Sequence, residues 1–254
     1  MRRFFFWYLP LGACVLATAV FGYGFYLGVS GGAGTPVNGS DPGLARNDVA
    51  PAGTIRPIIL GDSVAKGSGD ETGLGIGGVL DSELKSRRIQ HDAPINLAVN
   101  GSKTPDLLAL LGSKNVQVII AGANVVIISI GGNDLYGSGE FRTGAPPDPG
   151  AILDHVLDNV RQAVGKVRVA NPKARIFLIG LYNPFVRTPY GKILSPYVAD
   201  WNSRLLESFR ADPNITVVQT YDLFSHVDRL SADRFHPGSQ GYRLIGRRIA
   251  DSLK

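Results

Sequence analysis

Between Pro57 and Gln219 the chain repeats one alternation, and that alternation limits the folds open to it. Short continuous apolar runs, Pro57-Ile58-Ile59-Leu60, Ile95 to Val99, Val125 to Ile130, Arg175 to Leu181 and Ile215 to Gln219, are bounded by loop-forming residues and read as buried strands rather than helices. Between and after them apolar residues return every three or four positions. Examples are Leu107, Leu108, Leu110 and Leu111, broken near Gly112 before Val116, Val118, Ile119 and Ile120; then Ile152, Val156, Val160, Val164 and Val167; then Val198, Trp201, Leu205 and Phe209. Tyr242, Ile245, Ile249 and Leu253 close the chain as a further helix, and a helical pattern also runs from Gly78 through Arg88. A strand that returns through a helix re-enters the sheet parallel to its predecessor, so the expected fold is α/β, a three-layer α/β/α sandwich around a five-stranded parallel sheet. A length of 254 residues, 44% hydrophobic and 19% charged, allows one such domain with appendages.

Open parallel sheets keep their chemistry at the carboxyl ends of the strands. The first run stops at Gly61 and presents Asp62 and Ser63 there, and the third ends in Gly131-Gly132-Asn133-Asp134. A serine hydroxyl is a poor nucleophile without a base, and the chain has four histidines, His91, His155, His226 and His236. Only His236 has an acid three residues before it, in Asp233-Arg234-Phe235-His236-Pro237-Gly238. In a helical turn those two side chains share a side, so one ring nitrogen can bond the carboxylate while the other faces Ser63. His155 beside Asp154, and His91 and His226 in polar connections, read as solvent-facing. Taken singly, Ser63 fits a cap on the turn after its strand, Gly101 an ordinary turn, and Asn133-Asp134 an Asx-turn or helix cap.

Taken together these blocks resemble the SGNH, or GDSL-type, hydrolase family: Gly61-Asp62-Ser63 at the domain start, Asn100-Gly101 after the second strand, Gly131-x-Asn133-Asp134 after the third, and Asp233-x-x-His236 near the end. The likeness covers residues 55 to 254, and the family's usual leucine after the serine is Val64 here. The resemblance implies the flavodoxin-like strand order 2-1-3-4-5 and a catalytic triad of Ser63, His236 and Asp233. It also implies an oxyanion hole from the backbone N–H groups of Ser63 and Gly101 and the side-chain amide of Asn133, and no cofactor. Asp62 and Asp134 would brace loops. The implied reaction is hydrolysis of a carboxylic ester through an acyl-enzyme, with a small-molecule or lipid ester such as a lysophospholipid as substrate. Deacetylation of O-acetylated cell-wall sugars is the alternative. Two other classes stand beside these. A metal-dependent phosphoesterase would use Asp62, Asn133, Asp134 and His236 as ligands, but such sites want histidines where this chain has Val64 and Asp134. A non-catalytic wall-binding module could keep the fold without turnover.

The remaining features bound location and partners. Met1-Arg2-Arg3 precedes an uncharged run from Phe4 to Val29, and no Lys or Arg follows until Arg46, so residues 1–29 read as a single-pass membrane anchor with the bulk of the chain outside the cell. Ala17-Thr18-Ala19 would instead serve as a signal-peptidase site, and Leu11-Gly12-Ala13-Cys14 resembles a lipoprotein box; all three export the domain. Residues 30–54, rich in Gly, Pro, Asn, Asp and Ser, form an expected tether, and residues 55–254 the expected catalytic domain. Cys14 is the single cysteine, which excludes an intrachain disulfide. The net charge of +5 is carried by scattered basic residues, the densest being Lys85-Ser86-Arg87-Arg88 and Arg247-Arg248 on helical faces, so no nucleic-acid partner is expected and the protein is taken as a monomer. Gly73-Leu74-Gly75-Ile76-Gly77-Gly78 formally fits a dinucleotide fingerprint, yet a polar loop rather than a strand precedes it and Asn100 rather than an acid ends the next strand. The plainer reading is a wall beside the nucleophile, with Gly137 to Gly150 as a further rim.

Overall fold

Because every strand run is apolar on both faces, the sheet has to be covered on both sides, and the computed structural model has this arrangement. It describes Tyr23 and residues 53–137, 149–225 and 227–253. The chain divides into two units, Met1–Ala50 and Pro51–Lys254. The expected anchor at 1–29 and tether at 30–54 lie outside the described residues except for Tyr23, Gly53 and Thr54, and Thr54 is buried. Among the described residues no helix is long and apolar enough to cross a membrane.

The strands are β1 (Pro57–Gly61), β2 (Ile95–Asn96), β3 (Val125–Ser129), β4 (Arg175–Ile179) and β5 (Ile215–Val218), all parallel, in the order β2-β1-β3-β4-β5. The register sets Gly61 opposite Ser129, so the ends of β1 and β3 lie side by side. This order leaves a crevice between the loops after β1 and β3, where the connections leave for opposite sides of the sheet. β2 is shorter than the run from Ile95 to Val99 predicts. It is an edge strand with Ile95 49% exposed, and past Asn96 the chain holds the sheet only through Leu97 N–H to Ile59 O (2.9 Å) and Val99 N–H to Gly61 O (3.0 Å).

The helices are α1 (Ser63–Lys66), α2 (Gly75–Ser86), α3 (Thr104–Leu111), α4 (Lys114–Gly122), α5 (Gly132–Tyr136), α6 (Pro149–Ala170), α7 (Pro189–Phe209) and α8 (Ser239–Asp251). Side chains on a strand point alternately to its two faces, and each face has its own core. Ile58, Leu60, Val126, Ile128, Ile176 and Leu178 pack under α3, α4, α6 and α7. Ile59, Val125, Ile127, Phe177 and Ile179 pack under α2 and α8 through Ile76, Leu80, Tyr242 and Ile245. Each such aliphatic side chain contributes about 1.5–3 kcal/mol when fully buried, so the two cores rather than surface charge hold the layers. α7 starts well before Val198 and runs through Pro196. Its buried face carries one amide, Asn202, among Val198, Trp201 and Leu205.

Candidate active site

β1 ends against β3 so closely that its last residue has to be glycine. Gly61 has φ +132°, and a Cβ there would stand 1.8 Å from the carbonyl oxygen of Ser129. The chain then turns at once into α1. Asp62 caps that helix by accepting a hydrogen bond from Val64 N–H at 3.0 Å, and its own N–H donates to Ser129 O at 3.0 Å. Ser63 therefore sits on the first turn of a helix directly beyond the strand, buried with its hydroxyl turned toward the loop before α8.

There Ser63 Oγ lies 2.8 Å from Nε2 of His236, and Nδ1 of His236 lies 2.6 Å from Oδ2 of Asp233. The other oxygen of Asp233 accepts from Ser231 Oγ at 2.6 Å, Phe235 N–H at 2.8 Å and His236 N–H at 2.9 Å. Partial burial disfavours the Asp233 carboxylate, but these donors together with the imidazole outweigh it and hold its pKa well below the usual carboxylate range. An ionised Asp233 accepts, so Nδ1 of His236 carries the proton and Nε2 is left to accept from the serine hydroxyl. The sequence expectation of a helical turn over these residues is corrected here: Asp233 to His236 form an irregular turn with Arg234 at φ +56°. Side chain-to-backbone bonds from Asp233 stabilise that turn in place of helical ones.

Further contacts seat the histidine loop and the loop after α1 beside it, and the sequence gives no site role to the residues making them. Tyr182 Oη donates to Phe235 O at 2.8 Å, and Tyr242 Oη to Ser68 O at 2.7 Å. Gly69, at φ +87°, brings the loop after α1 against the histidine, since a Cβ on it would lie 2.7 Å from Cβ of His236. Tyr182 is itself fixed by its neighbours, because Asn202 accepts from Leu181 N–H at 2.9 Å and donates to Leu181 O at 2.8 Å. The one signal in the sequence was Asn202 itself, an amide on an otherwise apolar helix face.

Asn133 is buried on α5 and donates through Nδ2 to Ser102 O at 2.9 Å. This ties it to the loop holding Gly101, which has φ +79° and no atom within 4 Å of its would-be Cβ. From the other side Ser68 Oγ donates to Asn100 Oδ1 at 3.1 Å. Asp134 accepts from Thr104 N–H at 3.0 Å and from Thr104 Oγ1 at 2.6 Å, which docks α3 onto α5. Asp62 and Asp134 are thus loop braces. Asp62 is 4% exposed, and its burial pushes its pKa up to about 7, with Asp134 adding repulsion.

A cleft of about 480 Å³ opens beside the Gly101 loop between Val99, Asn100, Ser102, Leu107 and Leu110. Behind Ser63 lies a cavity of about 30 Å³ that reaches Tyr136, Leu181 and Phe235. That volume is enough for a water molecule. The Phe235 ring stands edge-on to the imidazole of His236 at 5.0 Å, with Phe185 and Tyr136 packed at 5.9 and 6.2 Å from Phe235. Among the described residues no group of three or more His, Cys, Asp or Glu side chains is placed to hold a metal ion.

Residues 59–244 match the model of the GDSL-like lipase/acylhydrolase family. The chain belongs to this family. This acylhydrolase is 31% identical over 204 residues to the Bacillus subtilis protein YpmR, described as uncharacterized, the match covering 77% of this chain and 80% of YpmR. It is 27% identical over 208 residues to the spore germination lipase LipC of Bacillus licheniformis, covering 77% of this chain and 95% of LipC. Its fold is that of a solved lipase from a goat rumen metagenome, with a TM-score of 0.69 and 24% identity over 79% of this chain and 100% of that one. Membership makes the acylhydrolase a serine hydrolase acting on ester bonds.

The other histidines stand apart from the triad. His155 is exposed on α6 with Nε2 3.2 Å from Nδ2 of Asn159. His91 corrects the solvent-facing expectation: its side chain is 6% exposed, held by Ile89 O at 2.7 Å and Asp81 at 3.1 Å. Its neighbour Ile55 bridges to it at the sheet margin, which draws it inward. His226 and most of the rim from Gly137 to Gly150 lie outside the described residues.

Proposed function

We propose that this acylhydrolase is an extracytoplasmic serine esterase that works through Ser63, His236 and Asp233 as a monomer without a cofactor. The observation that carries the reading is the unbroken relay from Ser63 Oγ to His236 Nε2, 2.8 Å, and from His236 Nδ1 to Asp233, 2.6 Å. His236 takes the hydroxyl proton as Oγ bonds to the ester carbonyl carbon, and the carbonyl π electrons move onto its oxygen. The N–H groups of Ser63 and Gly101 and the Nδ2 of Asn133 are the donors for that oxyanion. Because one N–H of Asn133 is spent on Ser102 O, its amide is oriented before substrate arrives, and such preorganisation gives an oxyanion donor its value. Collapse expels the alcohol, protonated by His236, and leaves an acyl-Ser63. Water, deprotonated by the same imidazole, then releases the acid and restores Ser63.

The open cleft beside Gly101, apolar at Val99, Leu107 and Leu110, suits an acyl or other hydrophobic part of the ester. Its rim at Asn100, Ser102 and Asp106 favours the second reading, a deacetylase of O-acetylated wall sugars, since a shallow polar edge suits a polymer. Location outside the cytoplasm is supported by the two arginines before the apolar run of residues 1–29. The test combines labelling with turnover. A fluorophosphonate should modify Ser63, located by peptide mass spectrometry, and the protein should hydrolyse p-nitrophenyl esters. A profile from acetyl to palmitoyl, with a lysophospholipid and an acetylated sugar alongside, separates the two substrate readings. Absence of both label and turnover overturns the enzyme assignment in favour of a binding module.

A further inference from the structure

Beyond the triad and the cleft, the turn before α7 and that helix's first turns carry apolar side chains the core does not use. The buried face of α7 is Gly191, Leu194, Val198 and Trp201. Tyr190 and Ile193 lie along a neighbouring face, beside a half-buried Tyr197 that packs partly on the core, and Val186 extends the patch into the preceding turn. Val186 is 39%, Tyr190 40% and Ile193 50% exposed. The charged side chains from Asn183 to Ala199 are Arg187 and Lys192, both basic and both exposed; the first acid is Asp200. Ion pairs on this helix gather at its other end, Arg204 with Asp154 and Asp200 and Arg210 with Glu207.

The patch also borders the chemistry. Phe185, adjacent to Val186, packs on Phe235 at 5.9 Å, and Phe235 stands against the imidazole of His236 at 5.0 Å. Exposed aliphatic and tyrosine side chains interleaved with cations, in a segment that has no acid of its own from Asn183 to Ala199, match the interfacial zone of a bilayer, where apolar groups enter the acyl boundary and cations meet phosphate. A second copy seated on the same face by a two-fold axis would bring Arg187 and Lys192 toward their own equivalents, a like-charge contact.

We propose that the Val186–Ile193 surface docks on an anionic lipid bilayer, so that the ester reaching Ser63 is a lipid lying in that surface. The substrate part of this inference rests on the esterase reading of Ser63; the docking part does not. Each cation near an anionic surface strengthens attachment by about fivefold, and burial of one isoleucine by about tenfold or more.

The test uses the full chain with Cys14→Ser and Ile193→Cys, bimane-labelled at the new thiol and reconstituted into vesicles carrying a shallow doxyl-lipid quencher. Quenching in phosphatidylglycerol vesicles, weaker in phosphatidylcholine vesicles and abolished by Arg187→Gln with Lys192→Gln, is the expected result. In parallel, Ile193→Asp should lower hydrolysis of a lysophospholipid in anionic vesicles by about tenfold or more while turnover of soluble p-nitrophenyl butyrate stays unchanged. An unquenched label overturns the docking, and cross-linking of two chains through residue 193 would assign the face to a second copy instead. Equal loss on both substrates for Ile193→Asp overturns the link from surface to site. Quenching without hydrolysis of any ester keeps the docking and overturns the esterase reading, so the two failures are distinct.

Discussion

Replacing Asp62 by asparagine should make the protein more stable, and increasingly so as pH rises. The carboxyl is 4% exposed, and its local partners are backbone N–H groups of α1, Val64 at 3.0 Å among them. Burial raises its pKa from 3.8 to about 7 despite those bonds. In the unfolded chain it ionises near the ordinary value, so between 3.8 and about 7 the folded state binds more protons than the unfolded one. Stability conferred through this group is therefore full below 3.8 and declines as pH rises to about 7, after which nothing further is lost. At about 1.4 kcal/mol per pH unit the window amounts to about 4 kcal/mol, an upper figure because local relaxation relieves part of it. An amide can still accept from Val64 N–H and has no charge to bury. Urea denaturation of wild type and Asp62→Asn at a series of pH values should give nearly equal stabilities at about pH 3.5 and a gap that widens to a few kcal/mol by about pH 8. A gap independent of pH, or a variant less stable at the alkaline end, would show that Asp62 is ionised in the native protein and refute the argument.

Ser63→Ala should reduce ester turnover by about 10⁴ or more with an unchanged denaturation curve; near-normal hydrolysis would remove the nucleophile assignment. Asp233→Asn should lower kcat by about 10⁴, because the amide no longer fixes the Nδ1–H tautomer, and since Asp233 titrates well below the usual carboxylate range the loss should be the same at every pH above about 5. Asn133→Ala should cost about 10² to 10³ in kcat with little change in KM; a rise in KM alone would make Asn133 a binding residue. Gly69→Ala places a Cβ 2.7 Å from that of His236 and should lower kcat more than stability, read by comparing single-turnover rates with thermal melts. Treatment with a chelator should leave activity intact, whereas loss restored by added metal would support the phosphoesterase alternative.

The parts of the molecule legible in the sequence were those governed by local chemistry. Strand runs such as Val125 to Ile130 are apolar on both faces because helices cover both, and the break at Gly112 separates α3 from α4 where it was expected. The meeting of Ser63 with His236 followed from strand-end placement and family likeness, since no local pattern links residues 173 apart. What escaped was set by tertiary contacts. The spacing of Asp233 and His236 suggested a helical turn, but Asp233 satisfies backbone donors with its own side chain and favours an irregular one. His91 sits in a polar segment, yet its contacts with Asp81 and Ile89 draw the ring inward. Tyr182, Ser231 and Tyr242 act on the site through single hydroxyl bonds that no periodicity announces. β2 falls short of its apolar run because an edge strand has a neighbour on one side only.

The separation between nucleophile and base has a temporal meaning. Synthesis delivers Ser63 long before His236, and the loop carrying His236 is held by Tyr182 through Phe235 O, while Tyr242 within α8 holds Ser68 in the loop after α1. A nascent chain that has emerged only as far as β5 therefore holds Ser63 without its proposed base, which lies 173 residues beyond that serine. On the proposed mechanism, ester turnover begins only once His236 has folded against Ser63.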